Sequence, residues 1–213
     1  MPFVVAVDGP SGVGKGTLAK RIARHYGWDF LDTGALYRAV GLAALAGNVS
    51  LSDSARLAKL AHGIDPSLLD DPALREEEVG QAASQVAADP AVREALLDFQ
   101  QRFAQSPPGG VGAVIDGRDI GTLICPEAQV KLFLCASARA RALRRARQLG
   151  VENDAAEVAR ITRAMEERDA RDAGRTAAPL KPAPDAHLLD TTNLDIDSTF
   201  RAALAIIEDR RDL

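Results

Sequence analysis

The stretch that decides the fold is Phe3-Val4-Val5-Ala6-Val7-Asp8-Gly9-Pro10-Ser11-Gly12-Val13-Gly14-Lys15-Gly16-Thr17. Its first five residues are continuously apolar. Continuous rather than alternating polarity predicts a strand buried on both faces, as in a parallel sheet covered by helices. The Gly-rich segment that follows fits G-x-x-x-x-G-K, and Leu18, Ile22 and Tyr26 then recur at helical spacing. Strand, Gly-rich turn and helix in that order are the context that gives a P-loop its meaning. Gly9, Gly12 and Gly14 let the backbone curl so that successive N–H groups point inward. The helix N-terminus adds partial positive charge, and Lys15 neutralises the outer phosphates of a nucleotide. Pro10, Ser11, Val13, Gly16 and Thr17 complete the expected ATP loop.

One feature departs from the general pattern. The residue after the P-loop Lys is commonly Ser or Thr, whose hydroxyl ligates Mg²⁺. Here it is Gly16, with Thr17 one place later. No protein ligand of a metal is therefore assigned. Thr17 is a candidate, and Mg²⁺ is expected to be held mainly by phosphates and water. His25, His62 and His187 are scattered and form no ligand cluster.

Working outward, similar apolar runs occur at Trp28–Leu31, Val111–Ile115, Val130–Leu134 and Ala186–Leu189, each followed by a helical segment. The alternation predicts an α/β fold with a five-stranded parallel sheet flanked by helices. Between Thr33 and Ser106 no strand is legible. That stretch reads as helices at Ala35–Ala46, Ser54–His62, Pro72–Ala87 and Pro90–Gln105, more than one crossover needs, so it is taken as an inserted lobe. Pro107-Pro108-Gly109-Gly110 returns the chain to the sheet. A second excursion comprises helices Arg139–Leu149 and Asp154–Arg171 around a break near Gly150–Asn153, a candidate lid. The resulting division is a core of residues 1–32, 107–147 and 172–213, a lobe over 33–106 and a lid over 148–171.

The chain has 213 residues, 26 Lys and Arg against 30 Asp and Glu, and a net charge of −4. At 46% hydrophobic and 26% charged it has an ordinary globular composition, large enough for a core without disulfides or structural metal. The mild acidity argues against a protein built for bulk nucleic-acid binding, and 4% aromatic residues argue against recognition by base stacking. Cys125 and Cys135 stand apart among apolar neighbours, as two buried free thiols of a reducing compartment would. The N-terminus lacks a basic signal-peptide region, and no apolar run approaches the roughly 18 residues of a membrane span. A cytoplasmic protein without membrane or nucleic-acid partners is expected. Nothing in the sequence demands a dimer, and a monomer is the expectation.

Of the basic residues 21 are Arg and 5 are Lys, and ten of those Arg lie between Arg139 and Arg175. A GC-rich genome accounts for the bias but not for the clustering. Arg141, Arg144, Arg145 and Arg147 also fit one solvated helix face, and acidic residues in the same segment offer partners. Arg168, Arg171 and Arg175 have i, i+3, i+7 spacing, which fits a salt-bridge ladder as well as a site. Asp32 precedes a helix and fits an N-cap.

Four further segments bear on function: Leu31-Asp32-Thr33-Gly34-Ala35-Leu36-Tyr37-Arg38, Ala83-Ser84-Gln85-Val86 leading to Pro90–Arg93, Asp116-Gly117-Arg118-Asp119, and Arg168-Asp169-Ala170-Arg171-Asp172-Ala173-Gly174-Arg175. With the Lys-Gly-Thr form of the loop, they resemble bacterial cytidylate kinases over nearly the whole chain. The resemblance implies a P-loop nucleoside monophosphate kinase that transfers a phosphoryl group from ATP to CMP or dCMP with Mg²⁺. It implies that Thr33, Arg38, Arg118 and Arg175 hold the acceptor phosphate, with Tyr37 packing beside the CMP site. Ser84, Arg93 and Asp119 would meet the cytosine edge, and Arg168 and Asp172 the ribose. Arg141, Arg144 and Arg145 would face the donor phosphates. Lys15, Arg118, Arg144 and Arg175 would be catalytic. The segment Gly63–Pro72 is shorter than the strand-containing insert expected there, so the lobe looks trimmed. A kinase of UMP or shikimate, and a nucleotide-dependent switch acting on an RNA or protein partner, are the rival readings.

Overall fold

The computed structural model describes residues 1–211. Five strands form one wholly parallel sheet: β1 (Phe3–Asp8), β2 (Asp29–Asp32), β3 (Gly112–Gly117), β4 (Val130–Cys135) and β5 (His187–Asp190). Their spatial order is β2-β3-β1-β4-β5. β1 lies in the middle, with Val5 opposite Val114 on one side and Val130 on the other. Its apolar run has the predicted consequence. Val5 and Val7 pack with Leu18, Ile22, Leu132, Ala203 and Ile207 on one face, while Val4 and Ala6 pack with Leu31, Ile115 and Ile120 on the other. Helices α1 (Lys15–Tyr26) and α8 (Ile196–Arg211) cover the first face, and α5 (Pro90–Gln105) contributes Ala104 and Phe103 to the second.

The edge strand differs from expectation. β5 is largely exposed, and Leu188 keeps 64% of its accessible surface. An edge strand has a neighbour on one side only, so its apolar residues are not all enclosed. Cys135, at the end of β4, is correspondingly half-buried; Cys125 alone is buried. β3 is not followed by a long helix but by a single π-helical turn, Ile120–Ile124.

Residues 33–106 contain α2 (Thr33–Ala46), α3 (Ser54–His62), α4 (Glu77–Val86) and α5, with a core of their own built on Leu36, Val40, Leu57, Val86, Val92 and Leu96. The expected single helix Pro72–Ala87 is two pieces. A 3₁₀ turn, Pro72–Arg75, is capped by Asp71, and Glu76 is extended before α4 begins. Three consecutive acids, Glu76 to Glu78, suit a helix N-terminus and not a helix interior, so the helix restarts there. A second 3₁₀ turn, Pro66–Asp70, makes up half of the short segment Gly63–Pro72 where an insert was expected.

After β4, α6 (Ala138–Leu149) ends on Gly150 in the left-handed conformation, φ 71°. Asp154 then caps α7 (Ala155–Ala173) by accepting from Ala156 and Glu157. α6 and α7 share a small core of Ala142, Ala146, Ile161 and Met165. Among the described residues no helix is long and apolar enough to cross a membrane.

Candidate active site

The C-terminal ends of the strands open into a cavity of about 480 Å³, the crevice where open α/β sheets bind ligands. Its floor is the Gly-rich loop. Gly9 takes φ 147°, and a Cβ there would stand 2.3 Å from the Leu134 carbonyl oxygen, so only glycine lets the loop leave β1 beside β4. α1 then starts without a side-chain cap and without an acid in its first turn. By contrast α2, α3, α5 and α7 are capped by Asp32, Asp53, Asp89 and Asp154, and α6 by Ser137. The first N–H groups of α1 therefore remain available to an anion. Ser11 to Thr17 line the cavity, whereas Gly9 and Pro10 do not.

Lys15 is buried and folds back to donate to the Pro10 carbonyl at 2.9 Å. Burial, and then repulsion from Arg118, lower its pKa to about 7 against the pull of Asp116. Asp116 is raised to about 6 because its burial outweighs the attraction of Lys15. Asp8, raised by burial to about 6, accepts from the N–H groups of Ile120 and Gly121 at 2.9 and 2.8 Å. It ties the start of the π-turn to the central strand and so fixes the end of the Asp116–Asp119 segment. Thr33 Oγ1 donates to the Asp116 carbonyl at 2.7 Å and joins α2 to the same place.

The arginines arrive from separate elements, and Arg38, Arg93, Arg118 and Arg175 are each held by a carboxylate. Arg38 pairs with Asp32 at 2.6 Å, and Asp32 also caps α2 by accepting from Ala35, as its place before the helix predicts. Arg118 donates to Asp172 at 3.0 Å, and Arg175 pairs with the other oxygen of the same carboxylate. These guanidinium groups hold Asp172 below the usual carboxylate range despite its burial. Arg168 lines the cavity with a buried Nε that has no hydrogen-bond partner among the described residues, and burial followed by repulsion from Arg118 lowers its pKa to about 10. Ser84 Oγ is likewise buried without a partner among the described residues. Beside it Arg93 and Asp119 form an ion pair, both 7% exposed, with the Arg93 guanidinium 5.7 Å from the Tyr37 ring centre. Altogether the wall carries eight basic side chains (Lys15, Arg38, Arg93, Arg118, Arg144, Arg145, Arg168, Arg175) and five acidic ones (Asp32, Asp116, Asp119, Asp172, Asp195), an excess of three positive charges.

At the opposite end Arg144 donates to Thr191 Oγ1 at 3.1 Å, to the Val13 carbonyl at 3.3 Å and to the Thr191 carbonyl. With Leu194, Ile196 and Gln148 it forms the rim beyond the loop, and Arg145 reaches Gln148. Two expectations change. Arg141 does not line the cavity; it is buried beneath the loop. Arg168, Arg171 and Arg175 are not one ladder, because α7 ends at Ala173. Arg175 lies beyond it, and Arg171 points outward to Gln81. Sequence reasoning missed Asp116 as a partner of Lys15 and the Thr191–Ile196 rim. Asp116 was visible as the first residue of the Asp-Gly-Arg-Asp segment; the rim has no signal, since its residues meet the loop only through the fold.

The sequence profile of the family described as cytidylate kinase matches residues 5–209. A cytidylate kinase of Rhodopseudomonas palustris (strain BisA53) is 54% identical over 206 residues, covering 97% of this chain and 96% of that protein. One from Paramagnetospirillum magneticum is 51% identical over 211 residues, covering 99% and 100%. Among solved structures, a gluconokinase from Sinorhizobium meliloti superposes with a TM-score of 0.52 at 17% identity, covering 98% and 93%. An uncharacterized protein from Eubacterium ventriosum gives 0.56 at 13% identity, covering 97% and 98%. These likenesses concern the fold alone.

Proposed function

The chain belongs to the cytidylate kinase family, and on that premise we propose how its cavity carries out phosphoryl transfer from ATP to CMP or dCMP. The observation that carries the reading is that the uncapped α1 terminus with Lys15, the Arg118–Asp172–Arg175 cluster and the Arg93–Asp119 pair all face one cavity. A triphosphate lies along Ser11 to Thr17, with Lys15 on its outer phosphates and Arg144 and Arg145 on the donor side. The acceptor phosphate sits among Thr33, Arg38, Arg118 and Arg175. Ser84, Arg93 and Asp119 read the base, Tyr37 packs beside it, and Arg168 and Asp172 meet the ribose. Residues 33–106 act as the acceptor lobe and 148–171 as the lid on a core of 1–32, 107–147 and 172–213.

The acceptor oxygen is already anionic, so no general base is needed. What must be overcome is the repulsion of two polyanions brought into line, and catalysis is positioning with charge stabilisation. Arginine suits that task because its planar fork grips phosphate oxygens bidentately and keeps its proton. The carboxylates Asp32 and Asp172 hold these forks in place and keep the site from being a bare cluster of like charges. Cytosine presents a donor at N4, which Asp119 can accept, and acceptors that Arg93 can serve. Uracil places an acceptor where cytosine has the donor, which would face the carboxylate unpaired.

Mg²⁺ characteristically keeps several waters and takes one or two carboxylates together with substrate phosphates. The residues here fit that mode. Among the described residues no group of three or more acidic, His or Cys side chains forms a cage. Yet Asp116 Oδ2 stands 3.2 Å from where a Gly16 side chain would begin, so the glycine leaves the carboxylate open to the loop, and Thr17 lies on the same wall. Asp116 and Thr17 would hold the ion with the phosphates, and its charge would help neutralise the donor.

A turnover panel tests the assignment: ADP formation from ATP with CMP, dCMP, UMP or AMP. Fast turnover with CMP or dCMP and little with ATP alone is expected. ADP formation independent of any monophosphate, or fastest with AMP, would refute it.

A further inference from the structure

Arg141 has no free face toward the cavity. Its Nε donates to the Ala136 carbonyl at 3.1 Å, one terminal nitrogen donates to the Ser11 carbonyl at 2.9 Å, and the other pairs with Asp169 at 2.6 Å. It is 4% exposed. One guanidinium thus ties the end of β4, the Gly-rich loop and α7 together. The trans peptide that turns the Ser11 carbonyl onto Arg141 turns the Gly12 N–H the opposite way, so the strap sets the direction of a loop donor.

α7 touches the loop a second time. Met165 lies one helical turn before Asp169, and its Cε stands 2.8 Å from where a Gly12 Cβ would be. The same stretch of α7 faces the acceptor side. Arg168, next to Asp169, lines the cavity, and Asp172 bridges Arg118 and Arg175. A shift of α7 that follows occupation of the acceptor side therefore pulls on the donor loop through Asp169 and Arg141, and the reverse holds by linkage.

We infer that Arg141 and Asp169 are positioning residues whose ion pair makes binding of ATP and of the acceptor nucleotide mutually tightening. The inference rests on the kinase reading above. Asp169 touches neither nucleotide in that reading, so removing its charge should leave each nucleotide's own contacts in place and lose the communication between them.

Calorimetry of the full chain measures CMP binding with and without a saturating non-hydrolysable ATP analogue. In the wild type the analogue should tighten CMP binding by at least about fivefold, the lower end of ordinary coupling. In Asp169→Asn that ratio should fall to within about twofold of one, with CMP affinity in the absence of the analogue changed far less. Asp169→Glu should recover part of the ratio. Arg141→Lys, which keeps the charge but cannot hold all three partners, should lower it from the other side and serves if the Asn variant does not fold. A merely structural role would lower the melting temperature and weaken both affinities together, leaving the ratio intact. An unchanged ratio in Asp169→Asn or in Arg141→Lys, or a wild-type ratio of one, overturns the inference. CDP formation by the wild type is scored in parallel, so failure of the substrate reading shows in turnover and failure of the strap shows in the ratio.

Discussion

Replacing Asp119 by Asn puts the base-reading argument at risk in a single number, the ratio of kcat/KM for CMP to that for UMP. Asp119 and Arg93 are each 7% exposed and paired with each other, so a base that meets them does so away from water. There the hydrogen bond from cytosine N4 to a carboxylate contributes about 1.5–3 kcal/mol. Uracil in the same pose sets its O4 against the carboxylate. An Asn amide relieves both conditions, since it accepts less strongly from N4 and can turn its NH₂ toward O4. A loss of about 2 kcal/mol of discrimination corresponds to a fall in the ratio of about 30-fold. The change also weakens the ion pair of buried Arg93, which still donates to the Ala87 carbonyl at 3.3 Å. That should cost up to about 3 kcal/mol of stability, a melting temperature about 6–12 °C lower for a chain of this size. Because the ratio is taken on one preparation, partial unfolding cancels from it. Initial rates of ADP release with each monophosphate give the two constants. A ratio within twofold of the wild type would refute the placement of Asp119 at the base.

Arg118→Lys keeps a positive charge but loses the fork that Asp172 orients; steady-state kinetics should show kcat reduced by about 10³-fold or more, and a loss under tenfold would place Arg118 outside the reacting centre. Gly12→Ala meets both a positive φ of 73° and Met165. Thermal denaturation should show a cost of about 1–2 kcal/mol, or about 2–8 °C, together with a raised KM for ATP. In the free protein Lys15 titrates near pH 7, and an arriving triphosphate favours its charged form, so ATP binding at about pH 8 should take up a proton. The Lys15 share of that uptake should fade toward about pH 6, where Lys15 is already protonated. Titrations in buffers of different ionisation enthalpy measure this, and proton release at pH 8 would contradict the assigned contact.

The sequence by itself determined the sheet and the donor loop. Phe3–Val7 is apolar on both faces, and such a run is satisfied only in the middle of a covered parallel sheet. Gly9 to Lys15 has one use between a strand and a helix. These are local signals, set by the period of the chain and by which residues tolerate a turn. Local signals also had limits. The break at Glu76 was hidden within an otherwise helical stretch, and β5 reads as buried from its apolar residues although its outer edge has no neighbour. Arginine is where the tertiary structure alone decided. Arg141, Arg144 and Arg145 are alike in sequence and lie on one helix. The fold turns Arg141 under the loop to Ser11 and Asp169, sets Arg144 on Thr191, and leaves Arg145 on the cavity wall. A guanidinium's role depends on which carbonyls and carboxylates surround it, and those come from residues up to 131 positions away. Spacing along the chain carries no record of such partners; only the packing of α6 and α7 against the loop supplies them.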